Sequence, residues 1–229
     1  MVGAIIQARM SSSRLEGKVM MPIFENLSLL ELLIMRLKQS LLVEKIVLAT
    51  SFSQKDDILV KVALKHGISV FRGSETNVLQ RFIGACEQYN IQTVVRVCAD
   101  SPLIDGVQID LMIKEFQERD YDLLTVNPNE TRLLDGVEIT SQKALKNFFS
   151  YSQENLQYLE HVTLYAKKET PHKVKYFTVS DSLKRTDILV TIDTKKDFDR
   201  VKTFIKEVFI KEHTLLFSIE KLPNYIQRF

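Results

Sequence analysis

The sequence predicts an open α/β sheet, mostly parallel, with helices on both faces. Three observations predict it. Short apolar runs recur at Val2–Gln7, Lys45–Ala49, Ile68–Phe71 and Thr93–Cys98. They lack the two-residue alternation of a half-exposed strand, so they read as strands buried on both faces. Amphipathic stretches separate them, giving strand–helix units joined by right-handed crossovers. Each run also ends in a polar tail: Ala8-Arg9, Thr50-Ser51, Arg72-Gly73-Ser74 and Ala99-Asp100-Ser101. In open α/β sheets the ligand lies beyond the carboxyl ends of the strands, so these four tails are expected to line one crevice.

The helices follow from spacing and caps. Leu29, Leu30, Leu33, Ile34, Leu37 and Leu41 recur at helical period and predict a helix over Ser28–Ser40. Asp56–His66 is the next, closed by Gly67. Asn77 caps a helix to Tyr89, and Asp105 caps one over Gly106–Arg119. The second half is less regular. Tyr121–Val126 and Gly136–Thr140 read as strands, Lys173–Val179 as an edge strand and Leu189–Ile192 as a short apolar strand. Ser141–Ser150, Asn155–Lys168 and Lys195–Val208 read as helices. There is no repeat or low-complexity tract. The 229 residues suffice for one domain with its own core, with an arm expected within about 127–180.

Composition narrows the function classes. A net charge of +2 is too balanced for a nucleic-acid coat or a membrane-surface binder, so any anion site must be local. No apolar run approaches the roughly 20 residues that span a bilayer, and no charged leader precedes Val2. Cys86 and Cys98 form neither a disulfide framework nor a metal-ligand spacing and read as packed thiols. A cytoplasmic setting is expected.

Three segments look chemical. The first is the loop Gln7-Ala8-Arg9-Met10-Ser11-Ser12-Ser13-Arg14-Leu15-Glu16-Gly17-Lys18, with three cations among small hydroxyl residues. Its backbone N–H groups and hydroxyls can fold around phosphate oxygens, while Arg9 and Arg14 grip bidentately and Lys18 acts as a point charge. A solvated basic loop is the equal alternative. The second is Cys98-Ala99-Asp100-Ser101-Pro102-Leu103-Ile104-Asp105, where Asp100 closes a buried strand. A carboxylate there can hold Mg²⁺ together with substrate phosphates or simply stabilise the turn. The third is Ile192-Asp193-Thr194, in which Asp193 could cap the following helix or add a second metal carboxylate.

These residues carry a family resemblance. Ile5-Ile6-Gln7-Ala8-Arg9-Met10 with Ser13-Arg14-Leu15 and Gly17-Lys18, then Ala49-Thr50-Ser51, Phe71-Arg72-Gly73-Ser74-Glu75, Val78-Leu79 and Arg81-Phe82 begin it. Ala99-Asp100-Ser101-Pro102-Leu103-Ile104-Asp105, Asp135-Gly136-Val137-Glu138, Glu160-His161-Val162-Thr163 and Ile192-Asp193-Thr194 complete the ordered set. The chain resembles the cytidylyltransferases of the spore-coat polysaccharide biosynthesis type, relatives of the acylneuraminate and 3-deoxy-manno-octulosonate cytidylyltransferases. The resemblance implies a three-layer α/β/α nucleotide-diphospho-sugar transferase-like fold, CTP as donor, a sugar acid as acceptor, Mg²⁺ as cofactor and a homodimer. By position, it implies that Ala8, Arg9, Arg14 and Lys18 hold the triphosphate, that Thr50, Ser51 and Arg72 lie near the nucleoside, and that Asp100 and Asp193 hold the metal. Arg14, Lys18 and Asp100 would serve the chemistry, with Glu138 and His161 on the sugar side. The chain departs from the family pattern at Glu16 and Lys195, where proline is usual, and at Ala99 and Asn77.

Two other classes remain open at this level. A glycosyltransferase using a finished nucleotide sugar shares the general sheet, but no D-x-D pair follows a strand. A non-catalytic nucleotide-binding homologue has Glu16 in its favour, and the intact Arg14, Lys18, Asp100 and Asp193 against it.

Overall fold

The computed structural model describes residues 1–226 except 13, 153, 170 and 171. Its first half follows the strand–helix rhythm of the sequence: β1 (Val2–Gln7), hairpin strands β2 (Pro22–Phe24) and β3 (Leu27–Ser28), α1 (Leu29–Leu37), β4 (Lys45–Ser51), α2 (Asp57–Lys65), β5 (Ser69–Gly73), α3 (Val78–Tyr89) and β6 (Thr93–Cys98). The second half contains α4 (Gly106–Gln117), β7 (Leu123–Thr125), β8 (Val137–Ser141), α5 (Gln142–Ser152), α6 (Leu156–Glu160), α7 (Leu164–Lys168), β9 (Val174–Tyr176), α8 (Lys195–Glu212) and α9 (Leu222–Tyr225).

Seven strands form one sheet in the order β5-β4-β1-β6-β8-β7-β9. The first four are parallel, whereas β8 runs antiparallel to β6 and to β7. β9 is an edge strand, as its alternation predicts, and pairs parallel with β7. One face packs against α1, α2, α4 and α8, through Leu33, Val62, Met112 and Phe204 among others. The other packs against α3, α5, α6 and α7, through Phe82, Phe148, Leu159 and Ala166. This is the expected three-layer α/β/α arrangement. The predicted caps form: Asn77 accepts from Gln80 N–H, and Asp105 from Val107 N–H. Ser28 and Glu31 close a reciprocal capping box on α1, and Thr194 and Asp197 another on α8.

Two predicted elements differ. The helix expected over Asn155–Lys168 is broken into α6 and α7 by a turn at His161–Thr163, where Val162 takes φ +48°. A β-branched residue avoids that region. Here its side chain is wholly buried, and the turn sends the Thr163 hydroxyl to Glu138. The strand expected at Leu189–Ile192 joins no ladder. Ile188, Val190 and Ile192 alternate inward as a strand would, but their neighbour is a loop: Ile192 N–H donates to Asp100 O, and Arg200 on α8 takes the carbonyls of Leu189 and Thr191.

β1 sits between β4 and β6, and chain order reverses there. Strands added after β1 go first to the β4 side, then to the β6 side. The topological switch point is therefore at the carboxyl ends of β1 and β6, where a ligand crevice is expected.

Candidate active site

The crevice lies at that switch point. It is lined by Gln7, Ala8 and Arg9 after β1, by Cys98, Ala99 and Asp100 after β6, and by Arg14, Lys18, Arg81, Glu160 and His161. The first loop reaches it through a defined anchor. Met10 N–H donates to Asp56 Oδ1 at 2.7 Å, while the Thr50 and Ser51 hydroxyls and Ser51 N–H donate to Asp56 Oδ2. Burial raises the Asp56 pKa, but these hydrogen bonds outweigh it and hold the carboxyl below its ordinary value. Gly17 then turns the chain at φ +67°, a conformation that costs glycine little, and points Lys18 inward.

Asp56→Ala is expected to remove all four bonds. It should cost about 3 kcal/mol of stability and weaken nucleotide binding about tenfold by freeing the loop. Thermal melting and nucleotide titration check this; a variant unchanged in both would show that the loop is held by other contacts.

Lys18 is the hub. Its Nζ donates to Asp100 Oδ2 at 2.8 Å, to Asp193 Oδ1 at 3.1 Å and to the Ile192 carbonyl at 2.6 Å. Arg14 Nη2 also meets Asp193 Oδ1, at 2.8 Å. Segments distant in sequence thus converge on one ammonium, helped by the Ile192 N–H to Asp100 O bond. Ser13, the neighbour of Arg14 in the resemblance, lies outside the described residues. On the opposite wall, Arg9 Nη2 donates to Glu160 Oε1 at 2.9 Å and Nη1 to the Glu75 carbonyl. His161 is exposed on the same rim, at the end of α6.

The other expected site residues take different places. Thr50 and Ser51 are buried under the crevice, and their side chains act on Asp56. Arg72 pairs with Asp57 and donates to the Ser51 and Ser53 carbonyls, beside a separate hollow that includes Phe52, Phe71 and Phe149. The expectation that all four strand tails share one crevice is corrected accordingly. β4 and β5 lie to one side of the switch point, so only the β1 and β6 tails open onto it.

Glu138 lies deeper. It opposes Arg96 directly across the β6–β8 register and pairs with it at 2.5 Å. Lys167, Thr125 and Thr163 donate to the same carboxylate. Burial would raise its pKa, but Arg96 and Lys167 bring it down to about 2. Its oxygens are therefore engaged at the floor of a second hollow lined by Arg96, Cys98, Asp135 and Lys167. Cys98 borders both spaces, and burial pushes its thiol up to about 11. Gly136 closes the wall at φ +92°, where a β-carbon would stand 2.2 Å from Ser101 Oγ, beside Asp100. Glu16 meets Lys55 at the surface and is not among the crevice-lining side chains.

Residues the sequence reading left unassigned include Arg96, Asp56 and Arg81. Two of them had a signal, since Arg96 inside an apolar strand and Arg81 on the apolar stripe of α3 each call for a buried partner, whereas Asp56 ends the short turn before α2 and carried none.

Among the described residues, no group of three or more His, Cys, Asp or Glu side chains forms a metal-ligand set. Asp100 and Asp193 nonetheless present two carboxylates to one cationic point, each about one-third exposed. Mg²⁺ takes one or two carboxylates and completes its shell with water and phosphate oxygens, so this pair fits it. The two D-x-D triplets lie elsewhere: Asp120 and Asp122 precede β7 and bind Lys173, and Asp197 and Asp199 lie on α8. No described helix is long and apolar enough to cross a membrane.

Comparison with known proteins agrees with this fold. A family model described as cytidylyltransferase matches residues 3–222. The chain is 34% identical over 212 residues to the spore coat polysaccharide biosynthesis protein SpsF of Bacillus subtilis, covering 89% of this chain and 85% of that protein. It is 25% identical to a 3-deoxy-manno-octulosonate cytidylyltransferase of Fusobacterium nucleatum, over 90% of this chain and 98% of that one. The solved structure of a cytidylyltransferase from Leptospira borgpetersenii superposes with a TM-score of 0.88 at 31% identity, covering 97% of this chain and 92% of that one. By fold, by the ordered motifs around the crevice and by this family match, the chain belongs to the cytidylyltransferases and is a nucleotidyltransferase.

Proposed function

We propose that the protein transfers a cytidylyl group from CTP to a hydroxyl of a sugar acid, releasing pyrophosphate and forming a CMP-sugar for surface-glycan assembly. The observation that carries this reading is the convergence of Arg14, Lys18, Asp100 and Asp193 at the β1–β6 switch point. The names of the Bacillus and Fusobacterium relatives support the sugar and the CTP.

The acceptor oxygen attacks the α-phosphorus in line. A phosphorus–oxygen bond forms there as the bond to the β-phosphate breaks, and the hydroxyl proton passes to solvent. Such transfer asks the protein mainly for positioning and charge stabilisation. Asp100 and Asp193 would hold Mg²⁺, which when bound neutralises phosphate charge and acidifies the attacking hydroxyl. Arg9 and Arg14 grip phosphate oxygens on facing walls. The three N–H donors of Lys18 are all occupied, by Asp100, Asp193 and Ile192 O. A phosphate oxygen therefore gains Lys18 by replacing one of these three acceptors.

A pyrophosphate-release assay with Mg²⁺, the four nucleoside triphosphates and a panel of sugar acids tests the reading. CTP with an acid acceptor should give pyrophosphate, and Asp100→Asn should lower turnover roughly 10²–10³-fold. Release with another triphosphate alone, or of a nucleoside diphosphate from a nucleotide sugar, would reject it.

A further inference from the structure

Four cations line the crevice: Arg9, Arg14, Lys18 and Arg81. Three are ion-paired within it, Arg9 to Glu160, Arg14 to Asp193 and Lys18 to both aspartates. Arg81 is different. It is 3% exposed, and among the described residues no carboxylate stands within ion-pair range of it. Its guanidinium makes one hydrogen bond, from Nη1 to the Ser74 carbonyl at 2.8 Å, and its buried Nε has no partner.

A guanidinium buried in this way is expensive unless its donors and charge are matched. The fold shows what a purely structural buried arginine looks like. Arg36, wholly buried in the last turn of α1, gives its donors to four backbone carbonyls, of Leu103, Ile104, Leu215 and Phe217. Arg81 has one such carbonyl. Burial, together with the like charge of Arg9, brings its pKa down to about 10, against weaker support from Asp56 and Glu75. Two guanidiniums thus line one crevice, and the single carboxylate ion-paired to either of them, Glu160, is taken by Arg9. α3 also opens onto the crevice through Val78 in its first turn, so the positive end of a twelve-residue helix faces the same space.

We infer that Arg81 and Arg9 form an oxyanion subsite, opposite the Lys18–Asp100–Asp193 group, that Arg81 completes its charge balance on a bound oxyanion, and that this makes Arg81 a substrate-binding residue. The inference rests on the cytidylyl-transfer reading for the identity of the substrates. The oxyanion comes from one of two sources, the terminal phosphates of the donor or the carboxylate of the acceptor.

Calorimetric titration separates them. Wild-type protein and Arg81→Gln are titrated with pyrophosphate, with CMP, which lacks the terminal phosphates, and with 3-deoxy-manno-octulosonate as a carboxylate probe. If the subsite takes donor phosphate, Arg81→Gln weakens pyrophosphate roughly 10–100-fold and leaves CMP within about threefold. If it takes the acceptor, the octulosonate weakens instead. Unchanged affinity for both pyrophosphate and octulosonate overturns the inference. Should Arg81→Gln fail to fold, Arg81→Lys keeps the charge and loses the fork. It is expected to weaken one probe about fivefold with a normal melting curve, and unchanged affinity for both probes in that folded variant overturns the inference equally. Wild type that binds pyrophosphate through Arg81 but releases none from any triphosphate would sink the cytidylyl-transfer reading and leave the subsite standing.

Discussion

Lys18→Ala is expected to lower turnover in pyrophosphate release by roughly 10²–10³-fold, the range seen when one donor aimed at developing charge is removed. The expectation is larger than for Arg14→Ala because of burial. The Lys18 side chain is 10% exposed and the Arg14 side chain 65%, so screening weakens Arg14 far more. Removing Lys18 also leaves Asp100, Asp193 and the Ile192 carbonyl facing one another without a shared donor. A drop of several degrees in melting temperature should therefore accompany the kinetic loss. Stopped assays at saturating CTP separate the two effects, since a folded enzyme that binds CTP but turns over slowly isolates the chemical role. Turnover within threefold of wild type would remove Lys18 from the mechanism.

Glu138→Gln is expected to show the largest stability effect. Gln keeps the shape but cannot offset Arg96 and Lys167, both of which face the carboxylate. Breaking a buried pair by neutralising one partner costs about 3–5 kcal/mol, which for a chain of this size lowers the melting temperature by roughly 6–20 °C. The effect has a defined pH window. The folded-state pKa of Glu138 is lowered to about 2, below its ordinary 4.5. Its stabilisation is therefore fully present above about 4.5 and is lost as pH falls toward about 2. The melting-temperature gap between wild type and Glu138→Gln should be full at neutral pH, begin to narrow below about pH 4.5 and close only toward pH 2. A gap undiminished at pH 2.5 would mean that the carboxylate's charge is not what holds the knot together.

The two variants probe different layers of one design. Lys18 acts in the crevice, while Glu138 ties β6, β7, β8, α7 and the His161–Thr163 turn together beneath the neighbouring hollow. Because that turn also presents Glu160 and His161 to the crevice, Glu138 links the sheet to the wall that holds Arg9.

By itself, the sequence determined the class of the fold. Unbroken apolar runs such as Val2–Gln7 and Thr93–Cys98 can only be buried on both faces, and caps such as Ser28, Asn77 and Asp105 act within a few residues of themselves. It also placed Arg9 and Asp100 just past the carboxyl ends of two strands, a position that topology fixes, while Arg14 and Lys18 came to the same site only through the family resemblance. What only the tertiary structure decided depends on pairings distant in sequence. The order of strands set which tails open on the switch point, and so placed Thr50 and Ser51 beneath the site and Arg72 beside another hollow. The strand expected at Leu189–Ile192 found a loop where a ladder was needed, and the helix expected through Val162 gave way to a turn demanded by Glu138. Arg81 is the clearest case. Its place on an apolar helix stripe was legible, but its lack of a carboxylate partner is a fact about the whole crevice, since a charge balance depends on every segment that reaches it.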